Sequence, residues 1–426
     1  MMAPPAMPAP PTADPAPTCH DPERALLLAC LWARYDEGAA GTVRRLAGQP
    51  LDVERLLALA ARQRLHAVVA RALRDAGVAL PAVTREALDE VATGAALHGL
   101  RMAHALVRVL RLLEAAGIHP VAFKGPAMAA ALYGDLGLRP CGDLDLLVRP
   151  EEQLPARDVL VAAGFRPDPP MSPAVERAHL AEGFAYSFYD DASGVKVDLH
   201  ATLVHHTFGF APDLDVLRGR AVEVSLAGQR VRTLAPEDLL LFLCIHGAKH
   251  EWRQLVWVAD VAELIRAHPG LDWAAIVDAA GEARARRMLA LGLFLASGLP
   301  RVRLPEAVAP LLVDPALPAL AQEVVRRMAA PAEARASLLR QIRFHMCVRE
   351  ARADQAGQLY EKVRDGVRHT VQNARVLVRP SDKDRAFVTL PRRWAWVYFF
   401  VRPVRVLADR AGLRSAAGAP CHETGV

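Results

Sequence analysis

The sequence lacks any pair of cysteines at the short spacing that a zinc site or a redox dithiol needs, because Cys19, Cys30, Cys141, Cys244, Cys347 and Cys421 are scattered singly along 426 residues. Free thiols in a reducing cytoplasm are the expectation. It also lacks an unbroken apolar run of the roughly 20 residues required for a membrane span, since charges interrupt each stretch first. The opening MMAPPAMPAPPTADPAPT has neither a basic start nor an apolar centre, so it does not read as a secretory signal, and a disordered tail is the expectation over residues 1–20. Charge of one sign is missing too. With 52 Lys and Arg against 47 Asp and Glu, a formal charge of +5 describes a mixed surface, which disfavours nucleic acid as a partner. No internal repeat at a fixed period stands out.

What is there is a hydrophobic fraction of 52%, ample for two or three packed units in a chain of this length. Alanine, leucine and arginine fill the periodic stretches, and β-branched runs are confined to the middle, which predicts a largely helical protein with a small central sheet. Residues 21–118 read as a helical region. Within it a long helix is predicted from about Thr84 to Ala116, where Leu97, Leu100, Ala103, Leu106, Leu110 and Leu113 keep helical spacing. Residues 119–235 read as an α/β centre, with a helix over 151–164 and hairpins over 184–203 and 221–233. Residues 236–413 return to helix, and 414–426 read as a flexible tail.

In the centre, Val121 to Phe123 form a short buried-strand run, Lys124-Gly125-Pro126 a turn, and Ala127 to Tyr133 a helix opened by its proline. A strand that turns through glycine into a helix is a phosphate-binding geometry: the backbone can approach the anion, free amides point at it, and a lysine adds charge. Lys124 and Gly125 are the phosphate candidates on that ground. Arg139, in the loop that follows, is the next, because a guanidinium can grip two phosphate oxygens at once.

Asp143 and Asp145 stand two apart in a strand predicted over 143–148, so their carboxylates leave one face while Leu144, Leu146 and Val148 bury the other. Such a pair repels itself unless a proton or a cation neutralises it. A magnesium ion, at about 2.0–2.1 Å from each oxygen, would do so and keep open positions for phosphate. Asp198 lies in Lys196-Val-Asp-Leu-His200, where residues 196, 198 and 200 share a face. If that strand lies beside the first, Asp198 completes a two-ion site, either holding the ion that activates an acceptor hydroxyl or taking its proton.

At these residues the sequence resembles the uncharacterised nucleotidyltransferase family of the DNA polymerase β-like superfamily. FKGPAMAAALYGDLGLRPCGDLDLLV at 123–148 is similar to its signature and VDLH at 197–200 to its third motif. LCIHGAKHEWRQLVWVADVAELI at 243–265 resembles its downstream helical block, and Val401 to Arg405 is a further short likeness. The resemblance implies an α+β fold, with a small mixed β-sheet nucleotidyltransferase core flanked by N-terminal and C-terminal helical regions. It also implies magnesium, and transfer of a nucleotidyl group, AMP from ATP, to an unidentified small-molecule, peptide or protein acceptor. One departure is that many members of the superfamily carry Gly-Ser after the first strand, where this chain has Lys124-Gly125.

Other readings stand beside these. Phosphoryl transfer by a kinase would use the same residues, and a non-catalytic nucleotide-binding module could keep the fold. Lys249 reaches a phosphate or snorkels at a helix edge. His246 and His250, four apart, line the cleft or pack, since neither a neighbouring Glu nor a third ligand supports zinc. Arg284, Arg286 and Arg287 read as a solvated face, and the aromatic segment 392–406 as a docked C-terminal helix.

Overall fold

The computed structural model describes residues 21–350, apart from 37, 182, 184, 205–211 and 330–337. Four short helices open it: α1 (Pro22–Trp32), α2 (Ala39–Ala47), α3 (Val53–Arg62) and α4 (His66–Asp75). Two of them start at an aspartate that satisfies a free amide of the first turn, Asp21 for Arg24 and Asp52 for Arg55. Then comes the long helix α5 (Ala82–Ala115), close to the bounds its leucine spacing predicts.

The chain next builds a mixed five-stranded sheet from β1 (Val121–Ala122), β2 (Leu144–Leu147), β3 (Arg166–Pro167), β4 (Tyr186–Asp190) and β5 (Val195–His200), in the order β1-β2-β5-β4-β3. The β2 and β5 strands run parallel, and the other neighbours antiparallel. Helix α6 (Gly125–Met128) links β1 to β2 and continues in a wider winding over Ala129–Tyr133. Helix α7 (Gln153–Ala162) precedes β3, and α8 (Pro173–Ala181) precedes β4. After α9 (Leu214–Arg220), β6 (Val222–Leu226) and β7 (Gln229–Thr233) form a separate hairpin turning at Ala227 and Gly228.

From Pro236 the chain is helical again: α10 (Pro236–Lys249), α11 (Leu255–Ala267), α12 (Trp273–Glu282), α13 (Arg286–Gly298), a tighter turn of helix at Glu306–Val313, α14 (Leu317–Ala329) and α15 (Leu338–Cys347). The fold is therefore α+β, a modest sheet between helical regions. No single helix among the described residues is long and apolar enough to cross a membrane. The predicted helix beyond residue 350, the 392–406 segment, Val401 to Arg405 and both tails lie outside the described residues.

Strand alternation decides where chemistry can occur. Leu144, Leu146, Val195, Val197 and Leu199 leave one face of the sheet and are buried with Met102, Leu106, Val109 and Leu113 of α5 and Leu160 of α7. The alternate positions, Asp145, Leu147, Lys196, Asp198 and His200, leave the other face. There Leu147 and Phe123 join a second core that holds α10, α11 and α13 together with the N-terminal helices α1 to α4. The polar face thus meets the C-terminal helices. Two boundaries differ from expectation: Asp143 stands just ahead of β2 rather than inside it, and the hairpin strands run over Tyr186–Asp190 and Val195–His200.

Candidate functional site

Parallel pairing of β2 with β5 sets Asp145 directly opposite Asp198, and Leu147 opposite His200. Both aspartates are buried, 5% and 8% exposed, so each needs a counter-charge. Lys124 Nζ donates to Asp145 Oδ1 at 3.0 Å, and His200 Nε2 lies 2.9 Å from the same oxygen. Lys196 Nζ donates to Asp198 Oδ2 at 2.9 Å. Asp198 Oδ1 is buried and has no partner among the described residues. Ligand atoms of Asp145, Asp198 and His200 all fall within 4.8 Å of one another, so these three could hold a metal ion. The donor set fits a divalent cation, and the unpartnered oxygen is the observation that says so.

Burial opposes ionisation of Asp145, but Lys124 and His200 outweigh it and hold its carboxyl far below the usual range. Asp143 is half-buried and lies outside the group of three. Burial first, then the charges of Asp145 and Asp198, push its carboxyl up, so the three aspartates feel one another as a cluster.

Gly125 opens α6 with φ +61°, a left-handed conformation that side chains resist, and a Cβ there would stand 3.2 Å from the carbonyl oxygen of Asp143. Glycine lets the turn close against the acidic strand. The Lys124 ammonium lies 5.1 Å from the ring of Phe123 and 5.5 Å from that of Phe242 on α10, which fixes the stem over two aromatic faces.

Arg139 is not brought to this cluster as a free cation. Its Nε and Nη2 donate to Asp260 of α11 at 3.2 and 2.9 Å, and Tyr133 Oη donates to the same carboxylate at 2.8 Å, all of it buried. The fork ties the loop ahead of Asp143 to α11. An aspartate inside the apolar run VWVADVAELI needs a buried cation, and that signal could have paired Asp260 with an arginine from the sequence. His200 and Lys196 were legible only as neighbours of Asp198 on one strand face; their hydrogen bonds across β2 and along β5 give them roles the sequence left unassigned.

Lys249 ends α10, where the chain turns through Glu251 and Trp252, both at positive φ. Trp252 slots against Gly247, where a Cβ would stand 2.5 Å from its ring. Glu251 is gripped by Arg327 and lies 3.3 Å from His345. That turn fixes Lys249, which among the described residues has no hydrogen bond or ion pair. Burial, and then the charge of Lys124, lower its pKa, against which the charge of Asp145 acts. His246, His250 and Trp257 stand beside it with ring centroids 4.6–5.7 Å apart. Among the described residues no third ligand joins the two histidines.

A family model described as uncharacterised nucleotidyltransferase matches residues 49–299. No curated protein and no solved structure matches the chain.

Proposed function

The chain belongs to the uncharacterised nucleotidyltransferase family, and we propose that it transfers AMP from ATP to a hydroxyl or phosphate of a small molecule, peptide or protein. The observation that carries this reading is the pairing of Asp145 with Asp198 across parallel strands, with Asp198 Oδ1 buried and unpartnered among the described residues. Lys124 and Gly125 border the carboxylates, and Lys249, without a hydrogen bond or ion pair among the described residues, feels the charges of Lys124 and Asp145, so these three would meet the phosphates.

Asp143 and Asp145 would hold the magnesium ion that accompanies the triphosphate, and Asp198 a second one on the acceptor side, with His200 steadying Asp145. Bound there, the metal supplies charge neutralisation for the carboxylates and the phosphates and acidifies the acceptor hydroxyl. Lys124 and Lys249 orient the β- and γ-phosphates, and Gly125 admits them to the backbone. The acceptor oxygen attacks the α-phosphorus, whose bond to pyrophosphate breaks with the electron pair leaving on pyrophosphate, and the acceptor's proton passes to Asp198, or to water when Asp198 holds the second ion. Arg139 contributes by holding the loop before Asp143 on α11 rather than by touching phosphate. Free thiols at Cys30, Cys141, Cys244 and Cys347 suit a reducing cytoplasm.

Incubation of the purified protein with magnesium, cell extract and each labelled nucleoside triphosphate tests this reading. A product that gains the nucleotidyl mass, and is lost in Asp145→Asn, supports it. A product that gains only phosphate makes the protein a kinase, and no labelling by any nucleotide removes the enzymatic assignment.

A further inference from the structure

Beyond the phosphate-facing residues, α10 and α11 carry an aromatic cluster that packs on the core yet is not fully covered. His246, Lys249 and His250 are half-buried where Ile245, Gly247 and Ala248 are buried, and Trp257 is half-buried between buried Val256 and Val258. Trp252, in the turn before α11, is fully buried, whereas Trp257 packs against the same core with one part uncovered.

The cluster starts where the phosphate-facing lysine ends. The Lys124 ammonium, bonded to Asp145, lies 5.5 Å from the ring of Phe242. Phe242 stands 5.5 Å from His246, and His246 stands 4.6 Å from His250 and 5.7 Å from Trp257. A row of rings therefore leads away from the carboxylates along the C-terminal helices, with Lys249 at its edge. His250 and Trp257 are tilted by 38° at 5.4 Å, so the pair presents an angled face rather than one flat plate.

We propose that Trp257 and His250, backed by His246, form the face on which the base of the nucleotide stacks, with Lys249 bridging from base to phosphate. This rests on the reading of the carboxylate cluster as a metal–triphosphate site. Burial, then the charge of Lys249, lowers the His250 pKa to about 4, so at neutral pH the imidazole offers an uncharged π surface beside two lysines. Stacking accepts any base, because each has a π face. The shelf therefore does not by itself select sharply among the bases.

The test uses the full chain and two probes in magnesium: ATP, and inorganic tripolyphosphate, which has the charges but no base. In wild type ATP binds more tightly than tripolyphosphate. Trp257→Leu weakens ATP by about 5- to 100-fold, the range expected for loss of one base–aromatic stack, and leaves tripolyphosphate unchanged, while Trp257→Phe retains most of the ATP affinity. Equal loss of both probes, or no loss of either, overturns the shelf while leaving the phosphate site standing. Wild-type protein that binds neither probe overturns the metal–triphosphate reading and the shelf with it. If Trp257→Leu does not fold, His250→Ala takes its place with the same two probes, and the same pattern of losses supports or overturns the shelf.

Discussion

Lys124→Met removes one charge from the centre of the site and keeps most of the stem. The ammonium it deletes lies 3.0 Å from Asp145 Oδ1, on a carboxylate only 5% exposed. Two unit charges about 3 Å apart attract by roughly 5 kcal/mol at an effective dielectric of 20, before desolvation is subtracted. Removing one partner of a buried pair costs about 3–5 kcal/mol. His200, 2.9 Å from the same oxygen, retains part of the compensation, so the lower end, about 3 kcal/mol, is expected. The melting temperature should fall by on the order of 3–5 °C.

The same geometry fixes the sign of a second effect. Because Lys124 occupies the Asp145 oxygen, a divalent cation has to displace it, and the variant should bind magnesium alone more tightly than wild type. Saturating magnesium should then restore much of the lost stability, as any ligand of the native state does. Triphosphate affinity should move the other way, falling far more for ATP than for AMP. Melting curves with and without magnesium, and calorimetry with ATP and AMP, read all three. Weaker magnesium binding would refute the competition for Asp145. An unchanged ratio of ATP to AMP affinity would refute the phosphate role.

Asp198→Asn should cut turnover much more than ATP affinity, measured by labelled-product formation and calorimetry, and with Lys196 36% exposed the lost pair should cost little stability; equal losses would move Asp198 among the primary ligands. Gly125→Ala should destabilise by about 1–2 kcal/mol from its left-handed φ, and the 3.2 Å approach to the Asp143 carbonyl should lower ATP affinity as well; a chemical-denaturation loss with ATP binding intact would leave Gly125 a purely conformational role. Between about pH 6.5 and 4 the unfolded chain protonates His250 while the folded one, with its pKa near 4, does not. Stability is thus fully present above pH 6.5 and falls by roughly 1–3 kcal/mol as pH drops to 4. Urea midpoints across that range should slope less in His250→Phe, and an unaltered slope would show that His250 is not the group responsible.

The fold was legible wherever a local period decided it. The α5 leucines, the Asp143-to-Val148 alternation and the Lys196-to-His200 alternation each set a face, and once β2 and β5 lay parallel those faces had to coincide. Partner choice was not legible, because it depends on which distant element a long side chain meets. Arg139 and Lys124 look alike in sequence as cations next to an acidic strand. Tyr133 and Asp260 capture the first 121 residues away in the chain from its carboxylate partner, whereas the second turns onto Asp145. His200 was overlooked for a related reason: a lone imidazole at a strand end shows no role until the opposite strand supplies its carboxylate.

The charges of the site also offset one another within the chain. Asp143, Asp145 and Asp198 are met by Lys124 and Lys196, with Lys249 near enough to feel Asp145, so the acidic pair that looks untenable in the bare sequence is neutralised from within. The consequence for binding follows from displacement. A metal ion alone must evict an ammonium from Asp145, and a triphosphate alone must approach three carboxylates. The two together exchange partners: the ion takes the carboxylates, and the released Lys124 follows the phosphates beside Lys249. Each ligand lowers the cost that the other would meet alone, so the proposed site selects the metal–nucleotide complex over either component, and the lysine that stabilises the empty protein becomes the residue that recognises the filled one.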